Sequence, residues 1–98
     1  MSAPALTGKQ RKYLRGRAHS LQPVVVVGHA GVTEGVVRAV DEALATHELI
    51  KVRFHEPEDK RGAADDLATE TESALCGLVG HTVILYRPRP DTPTIVLD

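Results

Sequence analysis

Gly28-His29-Ala30-Gly31 stands directly behind the apolar run Val24–Val27 and just ahead of Thr33-Glu34, where a helical pattern begins. Neither glycine carries a Cβ, so the backbone can turn tightly and approach another molecule closely. A helix start supplies unpaired N–H groups and the positive end of a dipole, which suit an anion. The preceding segment, residues 1–31, holds five cationic side chains, Lys9, Arg11, Lys12, Arg15 and Arg17, and no acidic one. Backbone donors beside a block of cations point to a phosphate backbone as ligand. The same glycines also serve a plain strand-to-helix turn. Glu34 favours that alternative, because its carboxylate competes for the same helix end.

No other residues form a catalytic set. The five histidines, His19, His29, His47, His55 and His81, lack the HExxH spacing and have no cysteine pair beside them, so no metal site is expected. His47 and Glu48 are expected to cap a helix end. Cys76 is the single cysteine. It lies in a short apolar segment next to an acidic helical pattern, the setting of a buried structural thiol and not of a nucleophile. No Gly-Lys-Ser/Thr follows Gly31, so ATP hydrolysis has no support. Neither a cofactor nor an enzymatic activity is expected.

With 98 residues the chain is expected to form one domain with one core. Its three aromatics, Tyr13, Phe54 and Tyr86, leave the core to Val, Leu, Ile and Ala. They are too few for recognition by base stacking. The net charge of −1 hides a strong polarity. Residues 1–31 carry a net +5, and residues 54–80 a net −5. A molecule with one basic and one acidic end can hold a polyanion with the first and turn the second away. The lone cysteine, the absence of a signal-type apolar stretch at Met1–Ala5 and the absence of a membrane-length run lead to a cytoplasmic expectation.

These residues must be positioned by an αβαβαββ series. Thr7 caps a first helix from Gly8 to about His19, with Leu14 and Ala18 inward. Lys9, Lys12, Arg15, Gly16 and His19 share the opposite side. Gly16 either admits a close backbone approach or is packing slack. Arg11 lies near the buried side, so its stem packs and its head snorkels outward. Val24–Val27, apolar throughout, reads as a central strand. Thr33 caps a second helix to about Thr46, with Val36, Val40, Ala43 and Leu44 inward. A second strand, about Leu49 to Phe54, alternates Ile50, Val52 and Phe54 with Lys51, Arg53 and His55. A third helix, about Glu58 to Thr71, turns Ala64, Leu67, Ala68 and Thr71 inward and exposes Asp59, Asp65, Asp66 and Glu70. Ala74–Val79 and Thr82–Arg87 form a hairpin about Gly80-His81. Residues 1–6 are expected to be a flexible lead, 7–87 the domain, and 88–98 a Pro-rich tail whose Ile95-Val96-Leu97 either packs or lies loose.

Four motifs stand in this order: Leu14-x-Gly16-x-Ala18-His19-x-Leu21-x-Pro23-Val24-Val25, Gly28-x-x-Gly31-x-Thr33-Glu34-Gly35-Val36, His47-Glu48-Leu49-Ile50-Lys51-Val52 and Gly80-x-Thr82-Val83-x-Leu85-Tyr86-Arg87. Together they resemble the CRM domain (chloroplast RNA splicing and ribosome maturation) in its bacterial single-domain, YhbY-like form. The resemblance spans about Leu6 to Arg87. It implies an α/β, two-layer αβαβαββ domain with a four-stranded mixed sheet, similar to the C-terminal domain of translation initiation factor three. It also implies a non-catalytic RNA-binding protein that associates with large-subunit ribosomal RNA precursors during ribosome assembly. The family's GxxG loop falls on Gly28, His29, Ala30 and Gly31, and its basic first helix on Lys9, Lys12, Arg15 and their neighbours. Many relatives have Lys or Asn between the glycines and a base after the hairpin glycine. Here His29, Ala30 and His81 stand there, and the loop has no permanent charge.

The expected RNA contacts are therefore Gly28, His29, Ala30 and Gly31 with Lys9, Lys12, Arg15, Gly16 and His19. A phosphate would sit near the N–H groups of residues 29–33, as in the GxxG clamp of KH modules. Lys51 and Arg53 add a second patch if their sheet face is open. Structured RNA, read by shape, is the expected partner of a monomer, with ribosomal proteins as further partners and no membrane contact. The acidic third helix is open to three readings: a solvated face, an orienting repulsion from RNA, or a dock for a basic ribosomal protein. The alternative function is a protein-interaction module of the same fold that does not touch RNA.

Overall fold

The computed structural model describes residues 3–97. The chain runs α1 (Gly8–Ala18), β1 (Pro23–Val27), α2 (Glu34–His47), β2 (Leu49–Phe54), α3 (Lys60–Glu70), β3 (Ala74–Val79) and β4 (Thr82–Tyr86). Each helix starts on a side-chain acceptor that satisfies an otherwise orphaned N–H. Thr7 Oγ1 accepts from the Gln10 N–H at 3.1 Å, and Gln10 Oε1 accepts from the Thr7 N–H at 3.0 Å, a reciprocal capping box. Thr33 Oγ1 accepts from the Val36 N–H at 3.2 Å, and Asp59 Oδ1 from the Gly62 N–H at 3.0 Å. Among the described residues no helix is long and apolar enough to cross a membrane.

The four strands form one mixed sheet in the order β1-β2-β4-β3. β1 runs parallel to β2, and β4 pairs antiparallel with both β2 and β3. The α/β class, the mixed four-stranded sheet and the β3–β4 hairpin agree with the sequence reading. Two details differ. β1 is an edge strand and not a central one. Its apolar run is only half used: Val27 is buried, while Val24 and Val26 are 47% and 63% exposed.

The second difference is the layering. The helices divide between the two faces of the sheet, giving three layers in place of the expected two. α2 and α3 cover one face through Val40, Leu44, Ala64 and Leu67, packed on Val27, Ile50, Val52, Phe54, Val83 and Leu85. α1 covers the other through Leu14 and Ala18, packed on Leu49, Cys76, Ile84 and Tyr86. The physical reason is in β4, where Val83 and Leu85 point one way and Ile84 and Tyr86 the other. A strand apolar at both parities must be covered on both faces.

The chain beyond β4 folds back onto the α1 face. Ile95 is buried there, and Leu97 and Leu6 pack at its margin. The anchor is Glu48, a buried carboxylate at the end of α2 with φ of 66°. It accepts from the N–H of Arg89 at 2.7 Å, the N–H of Thr94 at 2.7 Å, the N–H of Ile95 at 3.1 Å and the Thr94 hydroxyl. The expected flexible lead at residues 1–6 begins outside the described residues.

Candidate nucleic-acid interface

α1 carries five bases and no acid, and only some of those cations stand clear of the protein. Lys9 and Lys12 are exposed, without an ion-pair or hydrogen-bond partner among the described residues. Gly16 is open, since a Cβ there would meet nothing within 4 Å. The His19 side chain is exposed beyond the last turn. Three arginines are engaged. Arg11 donates to Leu6 O at 2.9 Å. Arg17 donates to the Tyr13 hydroxyl at 3.2 Å and lies over its ring. Arg15, expected as an RNA contact, donates to Cys76 O at 2.9 Å. Its stem crosses Gly77, where a Cβ would come within 2.6 Å of Arg15 Cδ. Arg15 therefore clamps α1 onto β3, and its charge acts from a fixed position.

The loop after β1 has the shape that its glycines allow. Gly31 sits at φ 76°, in the left-handed region that only glycine occupies without cost. The Gly31 N–H bonds Gly28 O at 3.1 Å, and the Thr33 N–H bonds Gly31 O at 3.0 Å. These two donors, and that of Val36, are used within the fold. The N–H groups of His29, Ala30 and Val32 have no internal partner among the described residues. They are the donors left for an anion. Gly28, His29 and Ala30 are exposed.

Loop and helix border one stretch of open sheet on the α1 side. Across the strands, Val26, Arg53, Thr82 and Val79 form a row beyond the reach of α1. Val79 is 67% exposed, and Arg53 is exposed and without a partner among the described residues. Lys51, expected as a second cationic contact, is instead committed. Its Nζ donates to His19 O at 3.2 Å and Leu21 O at 3.1 Å, tying the α1–β1 connection to the sheet. From Lys51 to the Val27–Phe54 pair is three strand residues, about 10 Å. The end of α1 and the GxxG loop therefore flank a strip floored by Val26 and Arg53. The acids of the helices lie elsewhere: Asp41 and Glu42 on α2, and Asp65, Asp66 and Glu70 on α3, are exposed behind the opposite face.

The CRS1/YhbY (CRM) domain pattern matches residues 6–87. The chain belongs to the CRM domain family. It is 42% identical over 85 residues to an RNA-binding protein of Haemophilus influenzae, covering 85% of this chain and 86% of that one. It is 38% identical over 94 residues to the Bacillus subtilis protein named "Probable RNA-binding protein YqeI", covering 94% and 98%. The solution structure of the hypothetical protein SAV1595 from Staphylococcus aureus superimposes with a TM-score of 0.84 at 34% identity, over 96% of this chain and all of that one.

Two features of this CRM domain were not legible from its sequence. Cys76 lies under α1 and not beside α3. Burial pushes its thiol up to about 11, although Arg11 and Arg15 pull the other way. It is buried, as expected. The second feature is a recess of about 320 Å³ beside the GxxG loop, lined on one side by Gly28, His29 and Gly31 and on the other by His55, Glu56, Glu58 and Asp59. The acidic wall comes from the β2–α3 connection. The His55 N–H donates to Val27 O at 2.9 Å and so draws that connection against the loop. Sequence separation concealed the pairing. The available signal was the parallel register of β1 and β2, which sets Val27 opposite Phe54.

Proposed function

We propose that this CRM domain binds structured RNA without catalysing a reaction, that its target is precursor ribosomal RNA of the large subunit, and that it works in the cytoplasm during subunit assembly. One observation carries the reading. His19 at the end of α1 and the free N–H groups of the GxxG loop flank an open strip of sheet floored by Val26 and Arg53, Lys9 and Lys12 are exposed along the same helix, and the acidic helices lie behind the opposite face. The relatives' names, as RNA-binding proteins, support the same ligand class. Phosphates and 2′-hydroxyls of a folded RNA suit such a strip, because it offers cations and backbone donors.

The test is a sucrose-gradient profile of lysate, probed for wild type and for the double variant Lys9→Glu, Lys12→Glu. Wild type should co-migrate with a large-subunit precursor and leave it in high salt or after nuclease. The double variant should stay at the top. Co-migration of the variant at wild-type level would remove α1 as the contact. Co-migration that resists nuclease and depends on Asp65, Asp66 and Glu70 would mean that the partner is a protein.

A further inference from the structure

The recess beside the GxxG loop carries the wrong sign for a phosphate. Glu56 and Glu58 present carboxylates, and Asp59 has one oxygen committed to the Gly62 N–H. At the mouth stand two imidazoles, His29 and His55, edge to face with ring centroids 4.9 Å apart. One ligand atom each from His29, His55 and Glu56 lies within 4.8 Å of the other two, in a set unique among the described residues. We propose that His29, His55 and Glu56 form a binding site for a divalent transition ion of the zinc type.

The donor set fits that chemistry. Two imidazoles and one carboxylate are ligands that zinc takes at about 2.0–2.2 Å, which places tetrahedral donors about 3.3 Å apart. Closing from 4.8 Å to that separation needs only rotation of exposed side chains, since all three residues are exposed. Imidazole nitrogen selects zinc, nickel or copper over magnesium, which prefers oxygen and water. The backbone holds the set in place. The His55 N–H is bonded to Val27 O, and Glu56 sits at φ 46° directly before Pro57, an uncommon conformation for a residue with a side chain. Glu58 adds negative potential from the same wall. Three protein donors leave a fourth tetrahedral position open. The site stands independently of whether the loop meets RNA.

The experiment uses the full chain without an affinity tag, free of chelator and of RNA, titrated with zinc chloride and separately with magnesium chloride. One equivalent of zinc should bind, and magnesium should not compete. His29→Ala and His55→Ala should each weaken zinc binding by about tenfold or more, with Glu56→Gln weaker than wild type and His47→Ala unchanged. In the wild-type protein, zinc should move the imidazole nitrogen resonances of His29 and His55 and leave those of His19, His47 and His81 in place. Because the residues are exposed, the variants should melt with wild type. Binding unaffected by either histidine substitution, uptake that does not saturate at one equivalent, or equal shifts in all five histidines would overturn the site.

Discussion

At the scale of single residues, the two loop glycines do different work. Gly31 is conformational, held at φ 76°, and a side chain there is strained whatever lies nearby. Gly28 has no positive φ, and a Cβ added to it meets nothing within 4 Å. Its lack of a side chain therefore matters only to an approaching molecule. Gly28→Asp should leave the melting transition within about 0.5 kcal/mol of wild type, as an open surface position does. It should lower affinity for structured RNA by about tenfold, through a carboxylate set at the anion's approach. Gly31→Asp should cost about 1 kcal/mol of stability from the left-handed backbone, so its effect on RNA would be partly one of folding. Paired chemical denaturation and RNA titration of the two variants separate the roles. Wild-type RNA affinity in Gly28→Asp would remove the loop from the interface. Arg15 gives the same lesson with the opposite sign: its place beside Lys12 on the helix wheel suggested a contact, whereas the gap above Gly77 draws its stem onto the sheet.

At the scale of elements, the chain's local signals located nearly every helix and strand, because each rests on a pattern carried by its own residues. Thr7 and Thr33 cap the helices, the stripe of Val40 and Leu44 turns inward, and Gly80 turns the hairpin at φ 59°. What was not legible depends on which elements become neighbours. Val24–Val27 reads as central from its composition, yet the edge position is set by β4, which takes the place beside β2. The split of helices across the two faces likewise depends on β4, and the acidic wall of the loop recess on the β1–β2 register. Glu48 is the sharpest case. Its place at a helix end was visible, and its four donors from the chain beyond β4 were not. Burial alone would raise its carboxyl, but the Thr94 hydroxyl and the N–H groups of Arg89, Thr94 and Ile95 hold it below its ordinary 4.5. A carboxyl depressed in the folded state stabilises the fold above its unfolded value and loses that contribution as pH falls through the folded one. Glu48→Gln should therefore cost about 2–3 kcal/mol near pH 7, where hydrogen bonds to a charge are lost. The gap to wild type should narrow as acid protonates the native carboxyl. Urea titrations from pH 7 down to pH 3 measure both. A constant gap over that range would mean that the carboxylate's charge contributes nothing to holding the chain beyond β4.

At the scale of the whole molecule, the net charge of −1 is shared unevenly between the faces of the sheet, with the five bases of α1 on one and the acids of α2 and α3 on the other. The sheet is the divider. α1 lies on one side, and α2 and α3, with Asp41, Glu42, Asp65, Asp66 and Glu70, lie on the other. With the sheet between them and α1, these acids are screened from a phosphate on the α1 side over a Debye length of about 8 Å at physiological salt, whereas Glu56, Glu58 and Asp59 stand beside the GxxG loop itself. Repulsion from the α2 and α3 acids should hardly weaken the correct face and should act mainly against binding by the wrong one. The affinity then rests on few charges. Lys9, Lys12 and Arg53 are free to meet phosphates, and Arg15 offers its charge from the clamp. Three to four neutralised phosphates on duplex RNA predict a slope of log K against log salt between about −2.7 and −3.6. Reversing the acids of α3 (Asp65→Lys, Asp66→Lys, Glu70→Lys) should leave both affinity at 150 mM salt and slope close to wild type, while Lys9→Glu with Lys12→Glu should flatten the slope by about two. A triple variant that binds much more tightly with a steeper slope would mean that RNA reaches the α2–α3 face, and that the sheet does not divide the molecule into one binding side and one repelling side.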